Sequence, residues 1–355
     1  MRTGTAHLPL HTGRAPRWLF ERMVRLAREI VRLLVEEHGP DEVLRRLSDP
    51  FWFQALGCVL GFDWHSSGVT TTVCGALKEA LRPTGGDLGL FVAGGKGRAS
   101  RRTPAEIETA CEMTGLDAAP LVRASRMSAK VDSAAVQDDH QIYHHAFFFT
   151  AQGSWCVVQQ GMCAEARTAR RYHWLGEGVR AFDEEPHAAV CAQGPRPTLN
   201  LVARESGGAR DASVELCRSP EVVLDAVARA RELRMPTRHP VSLADVDPRY
   251  LRRILLETYE RAPGDFETLL GLPGVGAKTL RALALTAELV YGTPASTRDP
   301  ARFSFAHGGK DRTPFPVDRE TYDRTIDLLR RAVDRSRVDR SDKVKALRRL
   351  ARFSR

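Results

Sequence analysis

The feature that most constrains the fold is a change of hydrophobic periodicity along the chain. Apolar residues recur at helical spacing over Trp18–Glu37, and helical patterns return from Pro220 onward. Between them, Gln141–Thr150 and Trp155–Met162 have the composition of two strands joined by a short glycine-containing turn. These patterns predict an α+β fold with a mostly helical N-terminal part, a central β-hairpin or sheet region, and an all-helical C-terminal part.

The chain length favours two domains. At 355 residues the chain is longer than a typical single domain, and Pro236 and Pro240 interrupt the helical pattern. We therefore predict an α+β catalytic or recognition domain over residues 1–235 and a helical domain over residues 244–355.

Composition and cysteine usage favour a protein of the cytoplasm. No stretch is long and apolar enough to predict a membrane span, and no signal peptide is indicated at the start. No feature of the sequence indicates an oligomeric state. No Cys-x-x-Cys spacing suggests a metal site, so reduced thiols are expected. The seven cysteines are Cys58, Cys74, Cys111, Cys156, Cys163, Cys191 and Cys217.

A glycine-containing turn between two predicted helices is the clearest functional motif. The sequence Leu-Pro-Gly-Val-Gly at 272–276 lies inside a predicted helix-turn-helix unit at about 265–292, with Asp265 as N-cap and Gly292 as the helix end. Glycines let backbone N–H groups approach a phosphate, and the start of the second helix attracts the same anion. We therefore predict DNA binding here. The candidate residues are Leu272, Gly274, Val275, Gly276, Lys278 and Thr279.

A second basic, glycine-rich segment covers residues 83–102. Lys96 and Arg98 within it are candidates for contact with a nucleic-acid backbone. The sequence from Thr103 to Glu106 predicts the start of a helix, with the two residues forming a capping box.

The C-terminal end carries most of the excess positive charge. The whole chain has a formal net charge of +9, and residues 319–355 contain 13 basic and six acidic residues. Such a region attracts phosphates, although a solvated helix face with mixed charges has the same composition.

The polar centre of the chain, residues 130–162, is dense in reactive side chains. Acids before one strand and polar groups on its partner can hold Mg²⁺ or Mn²⁺ beside a phosphodiester. The candidate catalytic residues are Lys130, Asp132, Asp138, Asp139, Gln159 and Gln160. An alternative is a transition metal bound by acids and histidines, with Asp138, Asp139, His140 and His144 as candidate ligands. In a third interpretation these groups satisfy one another or contact DNA.

The hairpin string resembles the helix-hairpin-helix of endonuclease III-type DNA-repair proteins. The matching residues are 272–279, Leu-Pro-Gly-Val-Gly-Ala-Lys-Thr. The resemblance implies that Lys278 is the counterpart of a lysine that attacks the sugar of damaged DNA, assisted by an aspartate downstream. Asp318 imitates the family's Val-Asp pair at a much longer spacing, and the family's cluster-binding cysteines have no counterpart after Cys217.

The chain as a whole resembles an uncharacterised family of bacteria and archaea, domain of unknown function family 763. The matching strings lie at 8–11, 62–68, 125–132 and 159–162. This resemblance implies no activity.

The leading functional hypothesis is a DNA-processing protein, a repair-type metal-dependent nuclease. The alternatives are a DNA glycosylase or abasic-site lyase that uses Lys278, and a DNA-binding protein without catalytic activity.

Overall fold

The computed structural model describes residues 15–61, 67–192, 196–232, 243, 245–301 and 319–353. An antiparallel sheet of five strands lies between two layers of helices, and each face of the sheet contributes to a separate hydrophobic core. The predicted α+β class is therefore confirmed, with the sheet at the centre and helices at both ends of the described chain.

The first helical layer is formed by the N-terminal part of the chain. Its first helix is amphipathic and buries Met23, Ile30 and Leu34. Asp49 caps the third helix by accepting hydrogen bonds from the N–H groups of Phe51 and Trp52. The helices of this part are α1 (Arg17–His38), α2 (Pro40–Ser48), α3 (Pro50–Leu60), α4 (Gly68–Leu81) and the short α5 (Gly85–Leu88).

Within the described ranges, seven strands make two sheets. They are β1 (Leu90–Lys96), β2 (Val136–Gln137), β3 (Gln141–Thr150), β4 (Trp155–Cys163), β5 (Thr168–Leu175), β6 (Ala189–Cys191) and β7 (Leu199–Asn200). The central sheet has the order β1-β3-β4-β5-β6, and β2 pairs with β7. The predicted hairpin of β3 and β4 is confirmed, with Phe149 opposite Trp155 next to the turn.

Alternation along the strands assigns side chains to the two cores. Phe147 and Phe149 belong to one core, whereas Ala146 and Phe148 belong to the other. The sheet is buried on both faces, which explains why its strands lack the simple apolar–polar alternation of a half-exposed sheet.

The second helical layer covers the face of Phe147 and Phe149. A five-residue π-helical turn, Val131–Ala135, joins its second helix directly to β2. The layer consists of α6 (Thr103–Thr114), α7 (Ala119–Lys130), α8 (Gly207–Leu216), α9 (Pro220–Glu232), α10 (Pro248–Arg261), α11 (Phe266–Gly271) and α12 (Ala277–Tyr291).

The last two described helices return to the first layer. They are α13 (Arg319–Arg335) and α14 (Arg340–Phe353), and they pack against α1 and α3. Leu329 and Leu350 lie in the core of the N-terminal helices, whereas Leu269 and Leu283 lie in the opposite core. The residues that we assigned to one C-terminal domain, 244–355, are thus distributed over both cores.

All seven cysteines are free thiols. Within the described ranges, every helix is too short or too polar to span a bilayer.

Candidate functional site

The predicted helical hairpin consists of α11, a five-residue turn and α12, and residues within the hairpin cap both helices. Asp265 caps α11 by accepting a hydrogen bond from Thr268 N–H at 2.6 Å, and Gly292 ends α12 in the left-handed conformation. Gly274 also has a positive φ of 81°. A Cβ at Gly274 would come within 2.4 Å of Ile254 Cδ1, so any other residue would have to displace the Ile254 side chain and adopt a left-handed backbone.

Apolar packing and hydrogen bonds from one lysine hold the turn on its inner side. Val275 is completely buried, and Leu272 packs against the same core. Lys130, at the end of α7, donates from Nζ to the carbonyl oxygens of Leu272, at 3.3 Å, and of Val275. Burial lowers the pKa of Lys130. This lysine, a predicted catalytic residue, therefore contacts the hairpin turn directly.

The outer side of the turn presents the start of α12. Gly276 is the N-cap residue, and no side chain caps the first turn of the helix. An added Cβ at Gly276 would meet nothing within 4 Å. A cavity of about 450 Å³ opens beside this point, lined by Gly274, Gly276, Lys278 and Thr279 from the hairpin and by α10. The predicted DNA-binding residues of the hairpin are thus brought together, although Val275 and Thr279 are buried.

The opposite wall of this cavity is α10, which the sequence motif did not indicate. Tyr250 is 42% exposed and lines the cavity, and the guanidinium of Arg253 lies 5.0 Å from its ring centroid. Arg249 is exposed on the same helix, while Asp247 is occupied as the N-cap of α10. The repeated basic residues between Pro248 and Arg261, with an aromatic beside them, were the signal that could have identified this wall.

Lys278 is held at the rim of the cavity. Its Nζ donates to the carbonyl oxygen of Asp245 at 2.7 Å and lies 3.5 Å from the carboxylate of the same residue. Arg281 pairs with that carboxylate at 2.8 Å. The Lys278 side chain is 53% exposed, so its ammonium group can reach a phosphate in solvent.

Lys96 and Arg98 lie elsewhere in the fold. Lys96 ends β1, and its ammonium lies 5.7 Å from the ring centroid of Tyr143. Arg98 is exposed in the helical turn Gly97–Arg102. Over the described ranges, no hydrogen bond, ion pair or ring contact joins either residue to the hairpin.

Asp138 is the centre of a buried ionic network. One carboxylate oxygen accepts from Arg170 at 3.0 Å and from the Tyr172 hydroxyl at 2.5 Å, and the other accepts from His140 N–H. Arg170 also makes a bidentate pair with Asp299. Burial alone would raise the pKa of Asp138, but the hydrogen bond from His140 and the charge of Arg170 lower it.

Asp132 lies in a second buried network on the same face of the sheet. Its Oδ2 accepts from Gln159 at 2.5 Å and from Trp174 Nε1 at 2.9 Å, and its Oδ1 accepts from His187 at 2.5 Å. Gln159 in turn accepts from His145, at 2.7 Å. Burial raises the pKa of Asp132, although His187 and Trp174 act in the opposite direction.

Gln160 points to the other face of the sheet, away from Gln159. It accepts from the Thr70 hydroxyl and donates to the carbonyl oxygen of Ser67 at 2.9 Å and to the Tyr143 hydroxyl. The strict alternation of a strand separates these two predicted catalytic residues.

The predicted metal ligands are also separated. Asp138 and His140 face the Arg170 network, whereas Asp139 is exposed on the turn before β3 with a φ of 65°. His144 is buried on the opposite face. Among the residues that the structure describes, no group of three His, Cys, Asp or Glu side chains could hold a metal ion. The Asp138 carboxylate already accepts hydrogen bonds from Arg170 and Tyr172, so this site does not fit Mg²⁺ or Mn²⁺, which need several free oxygen ligands.

Several important residues of the polar centre lie on β5, a strand that we did not predict. Arg170, Tyr172 and Trp174 alternate along it and face the two aspartates. Adjacent arginines usually indicate an exposed segment, yet Arg170 and Arg171 are fully buried. The alternation of large polar and aromatic side chains was the available signal.

The basic C-terminal residues lie on the side of the sheet opposite the hairpin. The described residues of α13 and α14 pack into the core of the N-terminal helices, whereas α11 and α12 belong to the other core. The positive charge of the described residues 327–350 therefore does not adjoin the glycine turn.

A three-layer α+β protein with a buried antiparallel sheet and a surface helical hairpin is the class that this geometry defines. The chain belongs to the DUF763 family, a family of proteins of unknown function, whose model matches residues 4–317. No match to the chain was found among the curated proteins or among the solved structures.

Proposed function

We propose that this protein binds DNA through the hairpin turn and the adjoining face of α10. The main support is the uncapped start of α12, which opens at Gly276 onto a cavity beside Tyr250 and Lys278. Backbone amides in such a position bind phosphate oxygens, and the dipole of the helix favours the same negative charge. The local resemblance to the helix-hairpin-helix of DNA-repair proteins supports the same proposal.

The contacts available here are to the backbone of DNA rather than to base edges. Main-chain N–H groups, Lys278 and Arg249 recognise phosphate oxygens, which carry no sequence information. We therefore expect binding that tolerates sequence and weakens steeply as salt concentration rises.

The matched pair Gly276→Val and Gly178→Val tests this proposal. Both glycines have open space at the Cβ position and no left-handed backbone, so both variants can fold. Valine at 276 blocks the approach of a phosphate to the start of α12, whereas Gly178 lies after β5, outside the hairpin. The measurement is the affinity for a fluorescent duplex and for a single strand by anisotropy.

We expect Gly276→Val to weaken binding about 10- to 100-fold, the equivalent of one or two charge-assisted hydrogen bonds. Gly178→Val should bind like the wild type. Equal affinity of all three proteins would contradict the proposal. Valine at Gly274 is not a suitable test, because it would collide with Ile254 and disturb the fold.

The same DNA substrates distinguish a binding protein from an enzyme. Cleavage with Mg²⁺ or Mn²⁺ that stops with EDTA would identify a metal-dependent nuclease. Borohydride trapping on abasic DNA in EDTA, lost in Lys278→Ala, would identify a lyase. Binding with every substrate left intact is the outcome for a protein without catalytic activity.

A further inference from the structure

A second cavity, of about 330 Å³, lies between the start of α3, strands β6 and β7, and residues 298–300. This volume is at the small end of the range for ligand pockets, which is about 300–1,000 Å³. Its walls include the apolar side chains of Pro50, Val202 and Pro300. The polar residues of the lining are Ser48, His187 and Asn200, together with the charged residues Asp49, Glu185 and Arg298.

The protonation of His187 follows from its partner. Its Nε2 lies 2.5 Å from Asp132 Oδ1, while Oδ2 of the same carboxylate already accepts from Gln159 and Trp174. A carboxylate with three donors around it acts as an acceptor only, so Nε2 carries the proton. When the imidazole is neutral, Nδ1 is then the ring nitrogen that accepts hydrogen bonds.

Nδ1 is also the ring nitrogen left to solvent. Within the described part of the chain it has no hydrogen-bond partner, and it is not among the buried atoms that lack one. The side chain is only 7% exposed and lines the cavity, so the accessible nitrogen faces the cavity.

Asn200 supplies a second acceptor. The residue is 5% exposed, its Nδ2 donates to the carbonyl oxygen of Arg298 at 3.2 Å, and its Oδ1 has no partner. The donor contact fixes the orientation of the amide, because a carbonyl oxygen can only accept. A buried acceptor without a partner is costly unless a ligand or water satisfies it.

The charged groups at the cavity are already compensated. Arg298 pairs with Glu205 at 2.8 Å, Asp49 accepts from the first amides of α3, and Glu185 lies 3.7 Å from Arg204. The cavity therefore favours an uncharged ligand that donates hydrogen bonds from its edge and presents apolar faces. Protein pockets that hold a nucleobase have this combination of apolar walls and edge-directed polar groups.

We infer that this cavity binds an uncharged heterocycle of nucleobase or nucleoside size, with its donors directed to His187 Nδ1 and Asn200 Oδ1. Asp132 is the positioning residue, because it holds the Nε2 side of the His187 ring and leaves Nδ1 directed to the cavity. The heterocycle could come from a free nucleoside or from a base of a DNA strand. The inference does not depend on the hairpin, because none of the residues that line the two cavities are shared.

Modification of histidine by diethyl pyrocarbonate, mapped by mass spectrometry on the intact protein, tests the inference. The reagent attacks an accessible neutral ring nitrogen, so His187 should react much faster than the buried His144 and His145. His38, which is 41% exposed, serves as an internal reference. A nucleoside at ten times its Kd should slow the reaction of His187 about tenfold and leave His38 unchanged.

The probes are adenosine, cytidine, guanosine, thymidine, ribose and a short single-stranded oligonucleotide. Protection by a nucleoside identifies the free molecule as a ligand, and protection by the oligonucleotide alone identifies a base in a strand. Ala188→Trp places a bulky side chain at an exposed residue that lines the cavity, and it should slow the modification of His187 in the absence of any probe.

Gly276→Val should keep protection by a free nucleoside even if it loses DNA binding, so failure of the hairpin proposal and failure of this one are distinguishable. The inference is overturned if His187 reacts no faster than His144. It is also overturned if no nucleoside or oligonucleotide protects His187, or if ribose protects it equally well.

Discussion

At the scale of single residues, Arg170 holds together parts of the chain that are far apart in sequence. Its guanidinium is fully buried between Asp138, which precedes β3, and Asp299, which follows α12. Each carboxylate is also bonded by backbone N–H groups, from His140 and from Ala301 respectively. Removing one charge from such a buried network leaves its partners unpaired and lowers the stability of the fold.

We predict that Arg170→Met destabilises the protein by about 3–5 kcal/mol, because two buried carboxylates lose their counter-ion. The measurement is urea unfolding at neutral pH, followed by circular dichroism. Arg167→Met, at an exposed position on the turn before β5, is the matched control and should change stability by less than about 0.5 kcal/mol. Equal stability of the two variants would show that the network does not hold the fold.

Sequence reasoning singled out residues of the polar centre but not the partners that surround them in the fold. Asp132, Asp138 and Gln159 are buried and closely bonded to other polar groups. Acid and amide side chains before and within strands are compatible with a metal site or with an ionic network. The choice between them depended on Arg170 and Asp299, which only the folded chain brings beside Asp138.

At the scale of elements, local signals predicted the hairpin well because its caps involve neighbouring residues. The capping of α11 by Asp265 and the end of α12 at Gly292 are confirmed. The predicted start of α6 at Thr103 is confirmed as well, but its capping box is wrong. Glu106 instead accepts from Gly94 N–H at 2.8 Å and from Lys78 at 2.5 Å, so distant partners replaced the local one.

The contact between α7 and the hairpin gives a prediction for the element. Lys130→Met removes the donor that binds the carbonyl oxygens of Leu272 and Val275, while its aliphatic part can still pack. We expect faster amide exchange over residues 272–276 and weaker DNA binding, because the turn is held less firmly. Unchanged exchange in this segment would mean that Lys130 does not support the turn.

Lys278 gives a second prediction for the hairpin. Lys278→Gln removes one cation that can reach a phosphate from the rim of the cavity. The affinity should fall by a similar factor for all DNA sequences, and the slope of log K against log salt should become shallower by about one. A loss of affinity confined to one sequence would contradict backbone binding.

At the scale of the whole molecule, the sheet buries polar groups on both faces between two helical layers. Sequence periodicity predicted the hairpin of β3 and β4 but not the order of the sheet. Strands β1 and β6 join it through contacts between segments separated along the chain, and β5, which pairs with β4 across a short turn, was not recognised as a strand. The return of α13 and α14 to the N-terminal core had no local signal either.

The buried histidines predict a loss of stability in acid. Burial is the main cause that lowers the pKa of His144 to about 3 and of His145 to about 4, and it also lowers the pKa of His173 well below its usual value. Below about pH 6.5 the unfolded chain takes up protons that the folded chain does not. The stability that these neutral histidines allow is therefore fully present above that pH. As the pH decreases toward the pKa values of the folded chain, the free energy of unfolding falls by about 1.4 kcal/mol per pH unit for each histidine.

His144→Leu isolates one of these contributions, because both ring nitrogens of His144 lack a partner within the described structure. Between pH 6 and pH 4.5 (roughly the lower part of the window in which an unfolded histidine is charged), the variant should lose stability more slowly. The difference in slope should be about 1.4 kcal/mol per pH unit in urea unfolding. Parallel slopes for the variant and the wild type would show that His144 titrates normally in the folded chain.

Amide hydrogen exchange with and without saturating duplex DNA measures the central claim, DNA binding by the hairpin, most directly. We expect protection over residues 272–280 and at the start of α10, because the turn and Tyr250 line one cavity. The basic helix α14 lies on the other side of the sheet and should exchange equally fast in both states. Protection confined to residues 340–353, with the hairpin unchanged, would contradict the account.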